Sequence, residues 1–276
     1  MSDYPQQRRI GCSPRLLIAA VILIIGAISY YFTTQKNPIT GETQRVKLTP
    51  DQETQLGLQA APEMAQEMGG EMPMADRGEA EVKAMGLRLA SALPKTNPYP
   101  FDFHLLADQQ TVNAFALPGG QVFITRALYT RLQTEGQLAG VLGHEIGHVV
   151  HRHAAQQMAH ADFYNSIVMA TGVGTGDNRA AALAQYVTQI RSLKYSRDDE
   201  LEADAWGLKL MAQIGFDPRE MLRVMEILKS VSGSSGSEMM STHPLPQSRI
   251  DKINEQLAQL YPTGVPKDLI AGHALP

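Results

Sequence analysis

The run His144-Glu145-Ile146-Gly147-His148 sets two imidazoles four positions apart, with a carboxylate beside the first. On a helix, residues four apart share a face, about 40° apart around the axis, so both rings can grip one ion. Neutral imidazole suits zinc, and two ligands from one helical turn make a rigid platform. Glu145 flanks that ion without having to bind it. A general base must stand there to take the proton of a metal-activated water. The chemistry served by this spacing is hydrolysis.

Two imidazoles do not complete a zinc site. Cys12 is the single cysteine, so a Cys-rich site is excluded and the remaining donors must be His or carboxylate. The extended form of the motif requires glycine where this chain has His151 and histidine where it has Ala154, and it fails at both. The best source of a third ligand is Ser196–Asp204, where Glu200 and Asp204 again stand four apart. Glu200 could bind the metal while Asp204 accepts the spare N–H of a ligand histidine. Glu202 points off that face. His151, His153 and His160 are not expected as ligands, because a fourth protein ligand would close the site to water.

These residues need elements to hold them. Thr49-Pro50, with Asp51 and Glu53 following, opens a helix that stops near Met68, before Gly69-Gly70. Val82, Met85, Leu89 and Leu93 stripe a second helix over about 76–92. Phe101–Leu106, Thr111–Leu117 and Gln121–Thr125 read as strands, with Pro118-Gly119-Gly120 as a hairpin turn between the last two. Thr134 and Gln137 form a capping box for a long helix reaching about Ala161 that contains the HExxH run. Residues 171–178 break the pattern and suit a loop over the cleft. Helices follow over about 178–195, 197–214, from 217 to the Gly/Ser run 232–237, and over 246–260. The expected architecture is α+β: a mainly helical, zincin-like (gluzincin-like) domain with a small antiparallel sheet.

Leu16–Phe32 is apolar apart from Ser29 and two tyrosines, and Thr33-Thr34 extend it. At about 1.5 Å per residue it just spans a hydrocarbon core of ~30 Å. Arg8, Arg9 and Arg15 precede it, which favours a cytoplasmic N-terminus and an extracytoplasmic body. The domain plan is therefore a cytoplasmic segment 1–15, a transmembrane signal anchor 16–34, a linker 35–48, a catalytic domain 49–262 and a tail 263–276. A cleavable signal peptide is the rival reading, but its apolar region is usually shorter. The formal net charge of −4 excludes nucleic acid as a partner, since phosphates call for a basic face.

With these residues in view, the chain resembles the M48 family of zinc metallopeptidases. HEIGHVVHRHA (144–154), YSRDDELEADAWG (195–207), NAFALPGGQVFIT (113–125) and THPLPQSRI (242–250) follow its pattern, and NPITGETQR (37–45) is similar to the linker of single-span bacterial members. The resemblance implies His144, His148 and Glu200 as ligands of one Zn2+, Glu145 as catalytic acid/base and Asp204 as the partner behind a ligand. It sets His243 and Arg249 beside the metal, where either could donate to the oxyanion, or His243 could occupy the open coordination position at rest. It also makes Asn113, Ala114 and Phe115 a strand edge for pairing with extended substrate.

The resulting expectation is a membrane-anchored zinc endopeptidase acting on unfolded or misassembled envelope proteins. The rivals are a zinc-stabilised holdase without turnover and a narrow processing protease.

Overall fold

A computed structural model describes residues 34–159, 186–190, 192–231, 239–243 and 247–275, together with Val21, Ile24 and Ile28. Most of the apolar run 16–34, the Gly-rich stretch 171–178, half of the helix expected over 178–195, the Gly/Ser run 232–237 and His160 lie outside the described residues. Among the described residues, no helix is long and apolar enough to cross a membrane.

The HExxH run lies on a helix, Glu135–Val150, that is buried along almost its whole length. A helix without a polar face has to sit at the centre of a domain, and this one does. Thr134 caps its start by accepting from the Gln137 N–H, but the expected reciprocal bond is replaced. The Gln137 side chain instead accepts from the Gln133 N–H and donates to Glu220. Two further orphan N–H groups of the first turn are met by the C-terminal tail: Glu135 N donates to His273 O and Gly136 N to Ala271 O. The tail is thus part of the body.

The motif helix also ends earlier than the expected Ala161. His151 is its C-cap, and Arg152 adopts φ 58°, a left-handed conformation unusual for a side chain of this size. Residues 153–159 resume as a helix in a new direction. The break is held from outside. The Arg152 guanidinium is buried against Glu53 at 2.7 Å and donates to Leu48 O at 2.6 Å. Tyr99 donates to the other Glu53 oxygen at 2.7 Å. Glu53 belongs to the first helix, Pro50–Glu67, whose capping box at Thr49 and Gln52 is complete.

The segment expected to be a linker contains a two-stranded antiparallel hairpin, β1 (Thr34–Lys36) and β2 (Thr43–Arg45). Asn37 holds its turn by accepting from the Ile39 and Thr40 N–H groups. The same Asn37 donates to Val150 O, and Gln44 donates to His151 O. The hairpin therefore satisfies carbonyls left free at the C-terminal end of the motif helix.

The main sheet comprises β3 (Asp102–Leu106), β4 (Ala114–Ala116) and β5 (Gln121–Thr125), ordered β3-β5-β4. The expected β4–β5 hairpin is present, with Gly119 and Gly120 at positive φ in its turn. The sheet is mixed, however, not wholly antiparallel, because β3 pairs with β5 in parallel. In an up-down-up run the first and third strands point the same way. Placing the third between the other two makes one of its pairings parallel, and it leaves β4 on the edge.

The second helix, Arg77–Ser91, packs on β3 so closely that a Cβ at Gly86 would meet the Phe103 ring at 2.1 Å. The carboxylate-bearing helix, Arg197–Gln213, lies against the motif helix, and Glu220–Val231 and Gln247–Leu260 complete the body.

Candidate metal centre

Small residues bring the two central helices together. A Cβ at Gly147 would stand 2.7 Å from Ala203 Cα, and one at Gly143 would stand 3.1 Å from Gly207 Cα. Side chains flanking this backbone contact must therefore meet. His144 and His148 from one helix face Glu200 and Asp204 from the other, and all four are buried. His144 Nε2 lies 3.1 Å from His148 Nε2 and 3.5 Å from Glu200 Oε2, and His148 Nε2 lies 3.5 Å from Glu200 Oε1.

His243 joins them. It follows the short helix Met239–Thr242, and its Nδ1 lies 3.4 Å from His144 Nε2 and 2.9 Å from Glu200 Oε1. These separations match a metal site. Four ligands at about 2.0–2.1 Å from a tetrahedral zinc sit about 3.3 Å from one another. The donor set, three imidazoles and a carboxylate, is one that zinc accepts.

Behind the cluster, Asp204 Oδ1 faces His144 Nδ1 at 2.9 Å. Arg249, second in line after Gln247 on the last helix, is 2 % exposed. Its guanidinium grips Asp204 through Nε at 2.9 Å and Nη2 at 2.7 Å, and meets Glu200 Oε2 through Nη1 at 2.5 Å. Glu145 sits one position along from His144, with Oε1 4.0 Å from His243 Nε2. That oxygen is buried without a hydrogen-bond partner.

The electrostatics follow from this burial. Burial and the neighbouring His144 charge hold His148 well below the usual histidine range, which keeps it neutral. Burial alone would lower His144 too, but Asp204 and Glu200 outweigh it and raise it to about 9. Glu200 would be raised by burial, yet His243 and His144 hold it well below the carboxylate range. Burial pushes Glu145 up, against a smaller opposing pull from His243 and His144. Binding a cation here would require His144 to release the proton that Asp204 and Glu200 favour on it.

The edge strand β4 lies beside the motif helix and pairs with β5 on its inner side only, among the described residues. Asn113 is buried just before it, and Phe115 stacks on Phe123 at 4.9 Å. A cavity of about 40 Å³ lies between this strand and the metal cluster, lined by Met64, Met68, Phe115, Leu193 and Tyr195 with His243.

A model of peptidase family M48 matches residues 76–257, a stretch that contains every residue of this cluster. The chain belongs to peptidase family M48. This M48 chain is a metallopeptidase, a hydrolase of peptide bonds. It is 31% identical over 241 residues to the mitochondrial metalloendopeptidase OMA1 of Schizosaccharomyces pombe, covering 86% of this chain and 71% of that protein. It is also 31% identical over 192 residues to the beta-barrel assembly-enhancing protease of Escherichia coli, covering 66% of this chain and 39% of that protein. The OMA1 of Saccharomyces cerevisiae aligns at 30% identity over 57% of this chain and 47% of its own length.

The contacts of Tyr195 and His153 with His148 were not foreseen from the sequence. Tyr195 stacks on His148 at 3.9 Å between ring centroids. His153 meets His148 from behind, Nδ1 to Nδ1 at 2.8 Å. Only the break at Arg152 brings His153 there, and a continuous helix would have carried it elsewhere.

Proposed function

We propose that this chain is a zinc-dependent endopeptidase in which His144, His148 and Glu200 hold one metal ion and Glu145 is the general base. The observation that carries the reading is the set of donor separations among His144, His148 and Glu200, 3.1–3.5 Å, which suits a single tetrahedral ion. When bound, zinc supplies a Lewis acid that acidifies a water to a pKa of about 7 and polarises a carbonyl.

The chain's own residues do the rest. Asp204 fixes the His144 ring by accepting from Nδ1–H, and Arg249 holds Asp204 and Glu200 in register. With its guanidinium engaged by two carboxylates, Arg249 positions ligands. It is not placed to reach a substrate oxyanion. Glu145 has an unpaired oxygen and a raised pKa, so it can take a proton from water and return it to the leaving amine. His243, with Nδ1 2.9 Å from Glu200 Oε1, would serve as a fourth ligand to a bound ion, and once displaced by substrate it could donate to the developing oxyanion. Of Asn113, Ala114 and Phe115 along edge strand β4, Asn113 exchanges its backbone groups with Thr125, so Ala114 turns its backbone outward for pairing with an extended peptide, which suits unfolded chains of varied sequence. An apolar side chain of that peptide fits the Met64–Phe115 cavity.

The same reading anchors the protein in a membrane through 16–34, with 35–48 joining the anchor to a catalytic domain at 49–262 and a tail at 263–276. Its support is the apolar run behind Arg8, Arg9 and Arg15. Val21, Ile24 and Ile28 are helical and more than half exposed, as side chains that meet lipid would be. Substrates are then misfolded or misassembled proteins on the extracytoplasmic side.

Casein cleavage by the full chain in detergent, with and without chelator and for Glu145→Gln, tests the proposal. The expected result is chelator-sensitive cleavage, and a Glu145→Gln protein that keeps zinc but loses turnover by at least about 100-fold. A Glu145→Gln protein with undiminished turnover would refute it. Zinc-stabilised client binding without any cleavage by the parent chain would favour a holdase.

A further inference from the structure

Beyond the motif helix, His151, His153 and Glu202 form a second group of metal-capable side chains. His153 Nε2 lies 3.1 Å from Glu202 Oε2, and His151 Nδ1 lies 3.0 Å from the same oxygen. Both histidines are buried. Taken alone, this group has the form of a second cation site.

The contact between His153 and His148 decides otherwise. The two Nδ1 atoms are 2.8 Å apart, so one must donate and the other accept. His148 presents Nε2 to the Glu200 cluster, and a neutral imidazole with Nε2 on a metal carries its proton on Nδ1. His153 Nδ1 is therefore the acceptor. A neutral His153 then carries its own proton on Nε2, the atom that faces Glu202 Oε2 at 3.1 Å. The atom that a second ion would need is already protonated. Occupation of the His144–His148–Glu200 cluster thus disfavours a second ion at His153.

We infer that His153 and Glu202 are positioning residues: a His148–His153–Glu202 relay that fixes the tautomer and ring orientation of a metal ligand, as Asp204 does for His144. The inference rests on the reading of His148 as a ligand. It gives each ligand histidine its own carboxylate, one direct and one through a second imidazole. It also gives the break at Arg152 a purpose, since that break turns His153 back onto His148.

The test is zinc affinity of the full chain in detergent, read by competition with a chromophoric chelator and by metal content. His153→Phe fills the space without accepting a proton and is expected to weaken zinc binding about 10- to 100-fold. His153→Gln, whose amide can both accept and donate, is expected to recover most of that loss. Glu202→Ala, at a side chain 47% exposed and therefore safe for folding, should give a smaller loss. His151→Phe should leave the zinc count unchanged, and the parent chain should hold one zinc.

Unchanged affinity in both His153→Phe and Glu202→Ala would overturn the relay. So would two zinc ions per parent chain with one lost in His151→Phe. A parent chain that binds no zinc would instead sink the reading of the primary site.

Discussion

The proposed metal centre depends on how closely two helices approach, and Gly147 sets that approach. In Gly147→Ala the new Cβ would stand 2.7 Å from Ala203 Cα and 2.8 Å from Ala203 O. Both are backbone atoms, so no side chain can swing aside. Restoring an ordinary contact of 3.4 Å requires the helices to part by about 0.7 Å. Ala203 lies between Glu200 and Asp204, so both carboxylates move with it, whereas a zinc site tolerates only about 0.2 Å of error in a ligand distance. Zinc affinity should fall about 10- to 100-fold.

Stability should respond less. Alanine gains about 1 kcal/mol over glycine in a helix interior, and overpacking costs about 1–3 kcal/mol. The metal-free chain should therefore lose no more than about 2 kcal/mol. Gly140→Ala is the internal control. Its nearest neighbour is Met221 Sδ at 3.6 Å, an ordinary contact, so stability should rise slightly and zinc affinity stay put. Chelator competition and urea unfolding of the metal-free chains measure both quantities. A Gly147→Ala protein that binds zinc as tightly as its parent would refute the reasoning.

Two other perturbations follow from the same contacts. Arg152→Ala leaves Glu53 buried without its cationic partner, a loss of about 3–5 kcal/mol in urea unfolding. Adding Glu53→Gln should return part of it, since the burial that already raises the Glu53 pKa then opposes no charge. Asp76 caps the second helix and is held by Arg126 through two contacts of 3.0 Å, chiefly through which its pKa lies below 3.8 in the folded chain. A depressed folded pKa contributes stability above the unfolded value, and this is lost as pH falls through the folded one. Asp76→Asn keeps the cap and loses the ion pair. It should be less stable than its parent at pH 7, with the difference narrowing below about pH 4 in urea midpoints. A constant difference would place the effect elsewhere.

The chemistry was legible because its spacing is local. His144, Glu145 and His148 share one turn, Glu200 and Asp204 another, and the helical period alone puts each set on one face. The cap at Thr49 was legible for the same reason. What escaped depends on contacts far apart in the chain. Nothing near Arg152 marks a helix end, because the residue that holds it there, Glu53, is on another helix. The hairpin at 34–45 looked like a tether because its partners, the carbonyls of Val150 and His151, are distant. The parallel pairing of β3 and β5 follows from strand order, which no local pattern encodes. Arg249 could as well have faced Asp251 on the surface. Its burial against Asp204 is set by how the last helix docks.

The most direct test of the centre is X-ray diffraction from crystals of the zinc-loaded chain at wavelengths on either side of the zinc edge. The account predicts one anomalous peak about 2.0–2.2 Å from His144 Nε2, His148 Nε2 and a Glu200 oxygen. A peak away from Glu200, or one held by His151 and His153 with the first cluster empty, would contradict it.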